Sequence, residues 1–246
     1  MFLILSLFCT FLKLAVSEVK APSTKEDMVV AKKIILKVDE EIIEVDAYEN
    51  KIRARIKGDD SKEIIVDLKE PSDKDNRTIH YVNNEKNYHV SLCCKDINAM
   101  IKIRKMMFPD FSKDTDLQLI STNSMNNRGG FATFVYKAEF QNADAIVEFS
   151  KEAQSELEES IMYLDFIDFI KSVDFGAMGV PNFSLEAVRG FLDKSEDLGL
   201  LSYLEVWDRP LYSLESINDE EVSLSIFEVD ESKEKKGWDT FIQELL

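Results

Sequence analysis

Residues 28–94 carry the pattern that most limits what this chain can become. Ile52, Ala54 and Ile56 alternate with Arg53, Arg55 and Lys57. Apolar side chains at every second position line one face of a pleated strand and leave the charged ones on the other, so the apolar half is buried by sheet formation. MVVAKKIILKV (28–38) is rich in β-branched residues, EIIEV (41–45) follows an acidic turn, and EIIVDL (63–68) follows the turn cluster Gly58-Asp59-Asp60-Ser61. Residues 70–77 form a charged loop with Pro71, and residues 78–82 and 88–94 predict a hairpin around Asn83-Asn84-Glu85-Lys86.

Beyond residue 94 the period changes. Asp96 can cap a helix through INAMIKIRKMMF, ended by Pro109. Residues 117–120 read as a short strand, Asn126-Asn127-Arg128-Gly129-Gly130 as a turn, and FATFVYKAEF (131–140) as a strand. From Ala143, apolar residues Ile146, Phe149, Ala153, Leu157, Ile161, Leu164 and Ile167 recur at spacings of three and four, predicting a long amphipathic helix. Further helices are expected after Ser184, over residues 200–207 and over 238–246; residues 222–229 fit either a strand or a helix, and residues 231–236 form a solvated charge run. The expected fold class is α+β: an antiparallel β-rich N-terminal half followed by a helical C-terminal half. The domain reading is a signal peptide at 1–17, a leader at 18–27, a β-rich domain with one helix at 28–140, and a helical region at 141–246 packed on or beside it.

The first residues address the chain. FLILSLFCTFL (2–12) is nearly unbroken apolar sequence, shorter than the ~20 residues of a membrane span. Ala15-Val16-Ser17 places small residues at the −3 and −1 positions of a cleavage site, the layout of a secretory signal. No membrane span is expected after cleavage, and the expected location is extracellular, with the endoplasmic reticulum lumen as the alternative. Two glycosylation sequons agree with secretion, at Asn76 (Asn76-Arg77-Thr78) and Asn182 (Asn182-Phe183-Ser184). Cleavage removes Cys9 and leaves the adjacent pair Cys93 and Cys94. Neighbouring strand residues point to opposite faces, so two readings stand: one buried and one exposed thiol, or a disulfide-linked dimer through the exposed one. The formal net charge of −17 opposes nucleic acid and anionic membrane surfaces as partners, leaving a protein partner.

Catalytic signatures are missing: the sequence has no G-x-S-x-G elbow and no phosphate loop. His80 and His89 fall on neighbouring expected strands and could share a metal only if the register aligns them, and His89 with Cys93 or Cys94 could form a nucleophile pair. The expectation is a non-enzyme without a cofactor. The alternative is calcium, held by Asp193, Ser195, Asp197 and Glu205 in a loop similar to that of the EF-hand family, with Gly199 and Glu205 each one place late. The basic run Lys102, Arg104, Lys105 reads as a solvated helix face.

The order of elements over 63–140 resembles the secreted BRICHOS family. The residues that carry it are Asp67 in EIIVDL, then YHVSLCC, the helix ending at Pro109, and strands to Phe140. The family's second cysteine has no counterpart in FVYKAEF, so its disulfide is not implied. What the resemblance implies is chaperone-like binding of exposed β segments. LEESIMYLDFIDFIKSVDFG is in turn similar to a helix of armadillo-type exchange factors for lumenal chaperones. Together these readings predict a secreted or lumenal, non-enzymatic protein-binding protein, with a calcium-responsive extracellular protein as the alternative.

Overall fold

The structure is a computed structural model that describes residues 27–68, 77–93, 118–140, 143–158, 191, 194–195, 197–237 and 240. The signal peptide and leader through residue 26, Asn76, Cys94, the helix expected after Asp96, the long helix beyond residue 158, Asn182, Asp193 and nearly all of the segment 238–246 lie outside the described residues.

Among the described residues twelve strands form one sheet. They are β1 (Met28–Val38), β2 (Glu41–Tyr48), β3 (Lys51–Ile56), β4 (Lys62–Asp67), β5 (Thr78–Asn83), β6 (Tyr88–Cys93), β7 (Leu119–Arg128), β8 (Phe131–Phe140), β9 (Ala143–Ser150), β10 (Leu200–Val206), β11 (Arg209–Ser223) and β12 (Glu234–Lys236). Helix α1 (Lys151–Glu158) follows β9, and a 3-10 turn (Leu224–Phe227) follows β11. The order across the sheet is β12-β6-β5-β4-β3-β2-β1-β11-β10-β9-β8-β7. Each of the meanders β1–β6 and β7–β11 pairs strands that are neighbours in sequence. The two are joined where β1 pairs antiparallel with β11, Met28 opposite Ser223 and Val38 opposite Tyr212. Among the described strands only the β12–β6 pair is parallel.

Alternation decides the faces of β1–β6. Ile34 and Leu36, Ile43 and Val45, Ile52 and Ala54, Ile64 and Val66, Tyr81 and Val90 line one face and belong to a single core cluster with Val147, Phe149, Ala153 and Leu157. The other face is ionic. Across it Lys33 pairs with Glu220 at 2.8 Å, Arg53 with Glu63 at 2.5 Å and Asp46 at 3.8 Å, and Arg55 with Glu44 at 3.1 Å. Opposite charges at cross-strand positions stabilise the register that also buries the apolar face.

Helix α1 starts because the Ala153 amide donates to Ser150 Oγ at 3.1 Å, and Ala153 and Leu157 sit four apart on its buried side. Buried Lys32 of β1 ties the helix to the sheet, bonding Glu156 of α1 and Asp219 of β11. Burial acts to lower the Lys32 ammonium, but the two carboxylates outweigh it and hold it above its ordinary value.

The helical C-terminal half expected from sequence is not what forms. Residues 143–150, 200–206 and 209–223 are strands, and the described residues are mostly one large mixed sheet. Two physical reasons account for the difference. The spacing Ile146, Phe149, Ala153, Leu157 joins strand residues to those of α1, so a three-and-four rhythm spans a strand–helix junction. In β10 almost every residue is buried, on both faces, so the run carries no period of two to separate a strand from a buried helix. The charge run at 231–236 is also partly a strand, β12. The turn expected at 126–130 is confined to Gly129-Gly130, and β7 continues to Arg128.

Candidate functional site

At one end of the sheet, β7 pairs with β8 alone among the described residues. Ten residues of strand therefore present one row of backbone donors and acceptors outward, an arrangement that accepts another extended chain. Its side chains are largely exposed and polar, LISTNSMNNR. Met125 stands opposite Phe134, which stands opposite Phe149. Exposure along this row runs from 59% at Met125 through 47% at Phe134 to 0% at Phe149, so the core's apolar surface continues outward to the edge. Ile120 is exposed nearer the start of the strand. Between Ser121 and Ser124 the register shifts, and Asn123 takes a left-handed φ of 56°; Thr122 Oγ1 donates to the Val135 carbonyl at 2.8 Å and anchors the bulge.

A polar clamp fixes β7 to the interior. Glu148 on β9 is 1% exposed. Its Oε1 accepts from Asn126 Nδ2 at 2.8 Å and Arg128 Nη2 at 2.9 Å; its Oε2 accepts from Arg128 Nε at 3.1 Å and Thr133 Oγ1 at 2.7 Å. Burial pushes this carboxyl up, but the hydrogen bonds from Arg128, Thr133 and Asn126 outweigh it and hold it below the usual carboxylate range. The Arg128 guanidinium lies 3.8 Å from the centroid of the Tyr203 ring. Tyr203 in turn donates to Glu205 Oε2 at 2.7 Å, and burial, helped by that bond, pushes the phenol up to about 12. Gly129, at φ 58°, lets the β7–β8 turn approach β11: a Cβ there would lie 3.1 Å from the Glu215 carbonyl carbon and the Leu214 side chain. With four donors on its two oxygens, Glu148 has no lone pair directed at a substrate and acts as a buried counter-ion.

The residues singled out by sequence lie elsewhere. Ser195 and Asp197 are helical; Ser195 is buried, and its hydroxyl donates to the Phe191 carbonyl at 3.0 Å. Glu205 stands on β10 and accepts from Tyr203. The arrangement around Gly199 is therefore helix, turn, strand, and Asp193 lies outside the described residues. No group of three or more His, Cys, Asp and Glu side chains is gathered for a metal among the described residues. His80 stands opposite Ser91 and His89 opposite Val82, so the two histidines are diagonal neighbours on one face; His80 Nδ1 lies 2.8 Å from Ser91 Oγ. Cys93 is half-buried on β6 opposite Thr78. It is four residues from His89 along one strand, about 13 Å at the usual rise, beyond hydrogen-bond reach for a nucleophile pair. Sequence reasoning missed the clamp. Its one available signal was Glu148, the lone charge within the apolar AIVEF of β9.

The described residues define a large, nearly all-antiparallel sheet with β7 as its outermost strand at one end. No family model matches the chain, and no curated protein matches it significantly. Among solved structures it is similar to PNGF-II in two crystal forms, at TM-scores of 0.39 and 0.38 and 10% identity, covering 88% of this chain and 32% and 33% of those chains. The chain thus spans about a third of the solved chains it matches. A likeness of that size carries no argument about activity.

Proposed function

We propose that this chain is a secreted or lumenal, non-enzymatic protein-binding protein that takes an extended, partly apolar segment of its partner along β7. The observation that carries the reading is the open edge of β7 beside the exposed Met125–Phe134 pair. Backbone pairing supplies affinity in strand addition, and the apolar row beside it selects segments with an apolar residue at alternate positions. The clamp on Glu148 supports the same reading, because a strand held rigidly costs less entropy to add to. Chaperone-like capture of β-prone segments is the form of binding that this edge suits.

The test is suppression of fibril formation by a β-prone peptide, comparing the full chain with a Met125→Lys/Phe134→Thr variant. Both positions are substantially exposed, so the unfolding free energy is expected to stay within the range of surface substitutions, about 0.5 kcal/mol. The wild-type chain delays fibrils and the variant loses the delay. No delay by the wild type, or equal delay by a folded variant, overturns the proposal. The compartment is read separately, from the intact mass of chain secreted by eukaryotic cells: a start at Glu18 with added glycan supports secretion, and an uncleaved mass retained in cells refutes it.

A further inference from the structure

A second feature lies at the opposite end of the sheet. β11 is in the middle of the sheet, beside β1, whereas β12 is its outermost strand, beyond β6. The connection between them therefore crosses β1 to β6. It is held at its start by the Leu224 amide donating to the Asp27 carbonyl at 2.9 Å, by Phe227 6.3 Å from the Tyr48 ring, and by Glu228 3.6 Å from Lys51. Tyr48 and Lys51 share the sheet face of Asp46 and Arg53, so the segment crosses on the ionic side. It ends in a strand of only three residues, lying parallel to β6 with the Glu234 amide on the Asn87 carbonyl at 3.1 Å. So short a parallel strand is held weakly.

The register places Lys235 directly opposite His89. His89 is 9% exposed, and its Nδ1 has no hydrogen-bond partner. Its described surroundings offer an imidazolium no available counter-ion. From the strap, Lys235 and Lys233 bear on it. From β5, Val82 stands opposite and His80 diagonal, the latter bonded to Ser91. From β4, Glu63 lies in the same cross-strand row beyond Val82, but its carboxylate is taken by Arg53 at 2.5 Å and by Asn84 Nδ2 at 3.2 Å. On the other side of β12, Lys236 sits 4.8 Å from the Tyr88 ring centroid and would remain attractive when His89 gains charge.

We propose that the segment from Phe227 to Lys236 is an acid-released strap: β12 covers the β6 edge while His89 is neutral, and a proton on His89, facing Lys235 and Lys233, lifts β12 away and bares that edge. The sign follows from linkage. Burial first, then Lys235 and Lys233, hold the His89 imidazole below its ordinary value while the strap is down. A released strap restores the ordinary value. The covered form is then fully favoured above that value and loses ground as pH falls through it.

Hydrogen exchange on the full chain tests this, comparing about pH 7.5 with about pH 5.5, either side of the ordinary histidine value. Rates are corrected for the intrinsic pH dependence of exchange. In the wild type, peptides covering 231–237 exchange several-fold faster in acid, while β2 and β3 do not change. His89→Gln removes the acid step. Lys233→Gln/Lys235→Gln, both on the exposed strap, shrinks it and decides the matter should His89→Gln fail to fold. A corrected rate for 231–237 that is equal at both pH values, an acid step that survives in folded His89→Gln, or a step left undiminished in the folded lysine variant overturns the proposal. None of these readouts involves β7.

Discussion

Glu148 remains a carboxylate in the interior because every lone pair it directs inward meets a donor, from Arg128, Asn126 and Thr133. Removing one side of such a pair strands the other. Glu148→Ala is expected to cost about 3 kcal/mol in urea unfolding, because Arg128, Asn126 and Thr133 lose their acceptor together. The pH dependence has a definite sign. The folded state holds this carboxyl below its ordinary value, so its contribution is complete above that value and fades as pH falls through the folded one. Stability curves of wild type and Glu148→Gln are therefore expected to converge in acid; a difference that stays constant down to about pH 3 would refute the ionised clamp. Gly199 is the other residue on which local geometry depends. At φ 107°, a Cβ would lie 2.5 Å from the carbonyl of Ser150. Gly199→Ala is expected to destabilise by more than about 2 kcal/mol, from backbone strain and the displacement of the β9–α1 junction.

At the scale of elements, the junction of β9 and α1 illustrates how sequence rhythm misleads. Ile146 and Phe149 belong to a strand, Ala153 and Leu157 to a helix, and only Ser150 marks the boundary. Ser150 is buried and caps the first turn, so Ser150→Ala is expected to cost about 1 kcal/mol by thermal unfolding and to shorten exchange protection of α1. The strands β1 to β6 were legible because one face is apolar and the other ionic, which writes a period of two into the residues. β10 was not legible, because both of its faces are covered. β12 was least legible: three charged residues form a strand only because the edge of β6 is within reach.

The whole molecule is organised by the seam between β1 and β11, which pairs residues 28–38 with 212–223. One core cluster contains Leu36 and Ile43 from the first meander and Phe149 and Leu204 from the second. The described sheet is therefore expected to unfold in a single cooperative transition, with fluorescence and far-ultraviolet circular dichroism giving coincident urea midpoints. Separate midpoints would show that the seam does not couple the meanders. Folding is expected to be slow for this length, because the seam closes a loop of most of the chain before its contacts form.

The residues alone determined the alternation of the first meander, the turns after β1, β3 and β5 and the strong acidity, since these depend on side-chain chemistry at neighbouring positions. They also predicted a signal peptide at 1–17, which lies outside the described residues. Tertiary structure decided everything that needs a distant partner. It made strands of 143–150, 200–206 and 209–223, assembled the Glu148 clamp from three strands, put β7 at the edge of the described sheet and drew the strap onto β6. Helix hydrogen bonds close within a few residues and strand hydrogen bonds do not, so a strand buried on both faces is fixed by neighbours that no local window contains.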